Sequence, residues 1–173
     1  MKPMAPRERT QPIKPKASMS TGAPVPVKGR TVHPGDSAVQ RAAEPLMVAA
    51  VAETIGVPLA KKSLPLAEGV QCEVDGASAD GRVLVEAFAH QGAMRGAQLK
   101  KVSEDAFKLV TLAKGRTGMR LIVAFADELA AKSFLGRSWK AEALRIWGVE
   151  VLGVELHGDV RAGIRDAQVR QFR

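Results

Sequence analysis

Apolar side chains recur along this chain at two spacings, and the switches between them outline its elements. From Asp36 or Ser37, either of which suits a helix cap, Val39, Leu46, Val48, Ala49 and Val51 follow a helical rhythm to about Ile55. Pro45 falls inside this stretch and predicts a kink or a later start, and Gly56 is a natural stop. Val57–Leu66 reads as a strand weakened by Pro58 and Pro65, and Gly69–Gly76 as a second strand. The Asp80-Gly81 pair signals a turn, after which Arg82–His90 forms a third strand. Its VLVEAFA core is almost continuously apolar, as suits a strand covered on both faces. Leu99, Val102, Ala106, Leu109, Val110 and Ala113 then make the apolar face of a helix from about Ala97 to Ala113. A strand MRLIVAFA, a helix of about 20 residues starting near Asp127, a strand from Val149 and a short arginine-bearing helix over 159–173 complete the chain.

The order helix, three strands, helix, strand, helix, strand predicts an α/β fold. Its mixed central sheet carries an antiparallel hairpin early, parallel strand–helix–strand steps late, and helices on both faces. The length of 173 residues suits one domain with a proper core, placed at 36–158. Residues 159–173 follow as a basic helix or tail.

Charge changes the picture at the start of the chain. Of the net +8, residues 1–35 carry +6, because seven basic side chains face Glu8 alone. Rich in Pro, Ser, Thr, Gly and Lys, this stretch is expected to be a disordered basic tail. It suits either a polyanion-holding arm or a solvated extension without a role of its own. The remainder is nearly neutral, so the basic balance does not by itself mark a nucleic-acid-binding domain. No apolar run approaches the length of a membrane span, and the basic start lacks the apolar stretch of a secretory signal. The single cysteine, Cys72, excludes an internal disulfide and fits a reducing cytoplasm. It is expected to be buried and to face away from the acids around it.

Those acids are the candidate chemistry. Strand alternation puts Glu73 and Asp75 on one face, and Glu86, Phe88 and His90 on one face of the next strand. Carboxylates facing one another in a buried hairpin need a partner, and a divalent metal is one such partner. Each acid also has a plainer reading. Asp75 before Gly76 suits a turn, and Glu73 suits a surface ion pair. Glu86 is harder to dismiss, because it interrupts an apolar strand.

At these residues the chain resembles the PD-(D/E)XK nuclease superfamily, the restriction-endonuclease-like fold, over roughly residues 37–126. That fold has a core of helix, three strands, helix and strand. The resemblance implies that Asp75 in VQCEVDG and Glu86 in VLVEAFA hold Mg²⁺ or Mn²⁺. Glu73, which precedes the aspartate as in some members, and Glu44 of the first helix (or Glu53) would complete the shell. The departure is Phe88, which stands where the family has the lysine two residues after the acid. Some members take that lysine from the following helix. Here Gln98, Lys101, Asp105 and Lys108 fall within an arc of about 80° whose inner edge borders the apolar face. Lys101 is the expected replacement, positioning the attacking water. Gln98 matches a G-x-Q pattern at the helix start and would orient it. Lys108 is expected to be solvated. The same stripe also suits a polar helix edge with an internal Lys101–Asp105 pair.

The resemblance thus implies a metal-dependent nuclease acting on DNA or RNA phosphodiesters, with DNA favoured. An inactive relative that binds nucleic acid or protein is the alternative, and an unrelated α/β assembly or regulatory protein a third. A homodimer stays open. No zinc-type Cys/His cluster and no nucleotide-binding glycine loop is present. His90 reads as a strand-end histidine or a proton carrier. Trp139 and Trp147, eight apart on the late helix, read as core packing rather than base stacking.

Overall fold

The computed structural model describes residues 38–171; the basic stretch 1–35 lies outside the described residues. The chain forms α1 (Ala38–Ile55), β1 (Ala60–Ala67), β2 (Val70–Ala77), β3 (Val83–Phe88) and α2 (Ala97–Ala113). It continues with β4 (Arg120–Phe125), α3 (Glu128–Leu135), α4 (Trp139–Ile146), β5 (Val149–Gly153) and α5 (Gly158–Gln171). The five strands make one sheet in chain order, β1-β2-β3-β4-β5. The first three are mutually antiparallel, and β3, β4 and β5 are parallel. This is the mixed α/β sheet that the periodicity predicts. Its parallel half follows from the two helical crossovers, because a helix returns the chain to the strand's starting edge.

Each face of the sheet has its own core. On one, Leu84, Phe88, Leu121, Val123 and Phe125 pack beneath Val102, Ala106 and Leu109 of α2, with Phe134 of α3 and Leu144 of α4. On the other, Val85, Ala87, Ile122 and Ala124 pack against Met47, Val48 and Val51 of α1 and Ile164 of α5. Adjacent residues of β3 and β4 thus serve opposite cores, which is why both strands read as unbroken apolar runs. The last helix belongs to the second core, with Ile164 fully buried.

Three local features depart from the expected elements. The helix near Asp127 is two helices. Asp127 caps α3 by accepting from the N–H groups of Leu129 (2.9 Å) and Ala130 (3.2 Å). Gly136 ends α3, and Ser138 caps α4 by accepting from Ala141 N–H. Pro45 lies within α1, which runs on through it. Finally, β2 carries a bulge. Ala60 pairs with Ala77 and Lys62 with Val74, so β2 advances three residues while β1 advances two.

Candidate functional site

The bulge falls at Asp75-Gly76 and breaks the alternation on which the expected pairing of acids rested. Val74 and Ala77 both enter the α2-side core although three residues separate them. Glu73 turns outward, where it pairs with Lys61 at 2.9 Å with both side chains about half exposed. Glu73 and Asp75 therefore do not share a face. Cys72 does not face away from the acids either. It packs against the α2-side core, and it feels the charges of Lys108, Glu86 and Asp105, while burial pushes its thiol up.

The β2–β3 ladder is short, with Gly76 opposite Val85 and Ala77 opposite Leu84. Beyond it the Asp75 side chain takes over. Its Oδ2 accepts from the Ala87 N–H at 3.0 Å, a bond that a backbone carbonyl would otherwise make. Asp75 is thereby fixed at the point where the two strands part.

Glu86 is 1% exposed, the most buried charged side chain among the described residues. It lies between Leu84 and Phe88 and points toward α2, which runs back along β3. The pairing between the two elements is therefore reversed. Lys108, near the end of the helix, reaches Glu86, with Nζ 2.5 Å from Oε1. Lys101 stands 5.2 Å above the centre of the Phe88 ring. Gln98, at the helix start, meets His90: its amide nitrogen lies 3.2 Å from Nδ1, and its oxygen accepts from Arg95 N–H at 3.0 Å. Asp105 joins the two lysines, at 2.8 Å from Lys101 and 3.4 Å from Lys108.

The sequence locates this stripe and, in its plainer reading, the Lys101–Asp105 pair, but not the partner of Glu86. Lys108, expected in solvent, holds the buried acid, and Lys101 holds Asp105. The signal was available. A right-handed crossover sets its helix antiparallel to the strand it leaves, so later helix residues face earlier strand residues. Phe88 has its own reason to replace a lysine. It stacks on Phe125 at 5.5 Å, and Phe125 stacks on Phe134 at 5.6 Å, so the position belongs to the core.

Burial and then the charge of Asp75 push the Glu86 carboxyl up to about 9, against the pull of Lys108. Lys108 Nζ, 2.5 Å from Oε1, is the partner of this buried oxygen. For Lys108, burial opposes the ammonium, but Glu86, Asp105 and Asp75 outweigh it and hold its pKa above the ordinary value. Asp105 and Asp75 sustain that ammonium when Glu86 is protonated. Lys101 is likewise raised: burial opposes it, and Asp105 prevails. Both lysines are thus cations at neutral pH rather than bases. Burial lowers the His90 pKa, which keeps the ring neutral.

Past the end of β3, a cleft of about 240 Å³ opens between α1 and α2. Glu44 and Gln40 line it from α1, Phe88 and His90 from the strand end, and Gln98 and Lys101 from α2. Three of the residues expected at a site, Glu44, Gln98 and Lys101, therefore line one cleft, whereas Asp75 and Glu86 are not part of its lining and Glu73 lies elsewhere.

A divalent ion held by the Asp75–Glu86 pair would have two carboxylates as its protein ligands. Among the described residues, no cluster of three or more His, Cys, Asp or Glu side chains is arranged to hold a metal. Two carboxylates suit Mg²⁺, which keeps several waters and takes further oxygens from a phosphate. Carboxylate oxygens fit a hard cation, which here would share Glu86 with Lys108. No helix among the described residues is long and apolar enough to cross a membrane. No protein family, curated protein or solved structure matches the chain.

Proposed function

We propose that the Asp75–Glu86 pair and the lysines of α2 form the centre of a Mg²⁺-assisted phosphodiester hydrolase of the nuclease type. The observation that carries this reading is Glu86, a fully buried carboxyl inside an apolar strand, set beside Asp75 where β2 and β3 part. Also in support, the order helix, three strands, helix, strand pairs in sequence as an antiparallel trio plus one parallel strand. That is the arrangement the resemblance to the PD-(D/E)XK superfamily implies.

In this reading Asp75 and Glu86 hold the metal, and Glu44 faces the cleft from α1. Bound there, Mg²⁺ supplies Lewis-acid activation of water and charge neutralisation at the phosphate. Lys101, held protonated by Asp105 beside the cleft, donates to a phosphate oxygen or to the attacking water. Lys108 offsets charge at Glu86 from within. Gln98 orients His90, whose neutral ring accepts or passes on a proton. Glu86 must give up its proton before its oxygen can serve as a ligand, so metal affinity rises with pH.

Thermal unfolding with and without Mn²⁺ or Mg²⁺ tests the centre. Wild type should gain stability on adding metal, more at pH 8.5 than at pH 6, and Asp75→Asn and Glu86→Gln should not respond. A metal shift that survives Glu86→Gln sinks the assignment. Nicking of DNA that persists in Lys101→Ala removes that lysine from the chemistry. One observation favours the second reading, an inactive nuclease-fold protein that binds nucleic acid or a protein partner. Lys108 already places a cation against Glu86. Metal-independent stability with no cleavage would select it.

A further inference from the structure

The other flank of α2 carries a groove that the proposed chemistry does not use. It measures about 860 Å³ and runs between α2 and α4. Phe107 forms one wall, and Trp139 and Trp147 the other, over a floor that includes Leu121 and Phe134. The three aromatic rims are 72%, 71% and 65% exposed, so the tryptophans are not the core residues that their helical spacing suggested. Their neighbours are basic. Residues 132–147 hold Lys132, Arg137, Lys140 and Arg145 against the single acid Glu142, which is paired with Arg145. Lys140 stands 4.8 Å over the Trp139 ring, and Lys114 lines the groove from the end of α2.

We infer that this groove is a platform for single-stranded nucleic acid, in which unpaired bases stack on Trp139, Trp147 and Phe107 while Lys114 and Lys140 take the phosphates. The occupant follows from chemistry. Exposed aromatic rings along both walls suit flat rings that stack on them. The charged handles are cations, so the occupant is anionic. Base acceptors find few hydroxyl donors to read, because the Ser103 and Thr111 hydroxyls donate to the carbonyls of Leu99 and Phe107. Recognition would therefore tolerate any sequence, as stacking does. Bases stacked and paired in a duplex cannot enter, which sets the preference for a single strand. Trp139 and Trp147 lie about 12 Å apart along the helix, room for several nucleotides. The inference deepens the proposed nuclease reading by naming a strand preference, but it stands on different residues.

The chain has two tryptophans, and both line this groove, so intrinsic fluorescence reads the site alone. Titration of the full chain with a twelve-nucleotide oligothymidine should quench it saturably. Phe107→Ala, which keeps both fluorophores, should weaken binding about tenfold, in the range of one lost stacking contact. Lys114→Gln and Lys140→Gln should each reduce the salt dependence of binding by close to one phosphate contact. A duplex of the same length should quench far less. Unchanged fluorescence at saturating oligonucleotide overturns the inference, as does equal quenching in Phe107→Ala and in the double lysine variant. A fluorescence change that follows protein concentration without oligonucleotide, together with a dimer mass in sedimentation, assigns the groove to a second copy and overturns it as well. Glu86→Gln separates the two readings: loss of its metal response with quenching intact retains both, whereas a wild type that quenches without any metal response retains the groove alone.

Discussion

The two flanks of α2 solve opposite problems. On one, Gln98, Lys101, Asp105 and Lys108 lie against His90, Phe88 and Glu86, and polar groups are buried but partnered. On the other, Phe107 faces Trp139 and Trp147 across open space, and large apolar groups are exposed without cover. A chain selected for stability alone would do neither. Burying a carboxyl costs more than an apolar side chain of the same size, and a wide apolar groove in water forfeits the burial it offers. Both departures sit on one helix, which is why α2 is the element to perturb.

The most disruptive change removes what the flanks share. Phe125 is fully buried and stacks on Phe88 below the charged seam and on Phe134 in the groove floor. Phe125→Ala should cost about 3–5 kcal/mol in urea unfolding and weaken both the metal response and oligonucleotide quenching. A loss of one response with the other intact would show that the flanks are supported separately.

The pH profile sharpens the charged side. The Glu86 carboxyl is raised by burial and by Asp75, so the stability it contributes is present at low pH and is lost as pH rises toward about 9. Glu86→Gln lacks this titration. The unfolding midpoint of wild type, measured against Glu86→Gln, should therefore fall between pH 5 and pH 9. No change across that range would mean that Lys108 outweighs burial and keeps Glu86 ionised throughout.

Asp105→Asn comes next. Asp105 is the joint between the lysines, with its side chain 15% exposed, and its loss leaves two cations near each other. We expect a cost of about 1.5 kcal/mol in denaturant unfolding, the scale of a charged hydrogen bond. A neutral outcome would show that the seam does not depend on the joint.

The smallest effects belong to the open flank. Phe107→Ser and Trp139→Ser should change stability by no more than about 0.5 kcal/mol, because these side chains are mostly exposed. A loss of 2 kcal/mol or more would show that the groove is packed in solution and would erase the contrast between the flanks.

Much of this is legible in the chain. Periodicity locates the strands and most of the helices, and a carboxylate inside the apolar run VLVEAFA marks Glu86 on its own. The arc of Gln98, Lys101, Asp105 and Lys108 is also correct as an arc, because helical geometry is local. The break at Gly136–Ser138 escapes the pattern because the apolar rhythm on either side is continuous, while Gly136 and the Ser138 cap act on backbone geometry. Alternation misplaces Glu73 because one extra residue in β2 reverses the facing of what lies beyond it.

What the sequence determined by itself are the properties fixed by nearest neighbours along the chain: which segments are helix or strand, which face of each is apolar, and which residues form the α2 stripe. What the tertiary structure decided is which stripe residue meets which strand residue, and which side chains find no cover. Lys108 rather than Lys101 holds Glu86 because α2 runs back along β3. Trp139 and Trp147 are exposed because α4 is set apart from α2, leaving a groove that no local pattern encodes. Both outcomes depend on the relative placement of elements distant in sequence, and an amphipathic pattern states that a face is to be covered without saying by what.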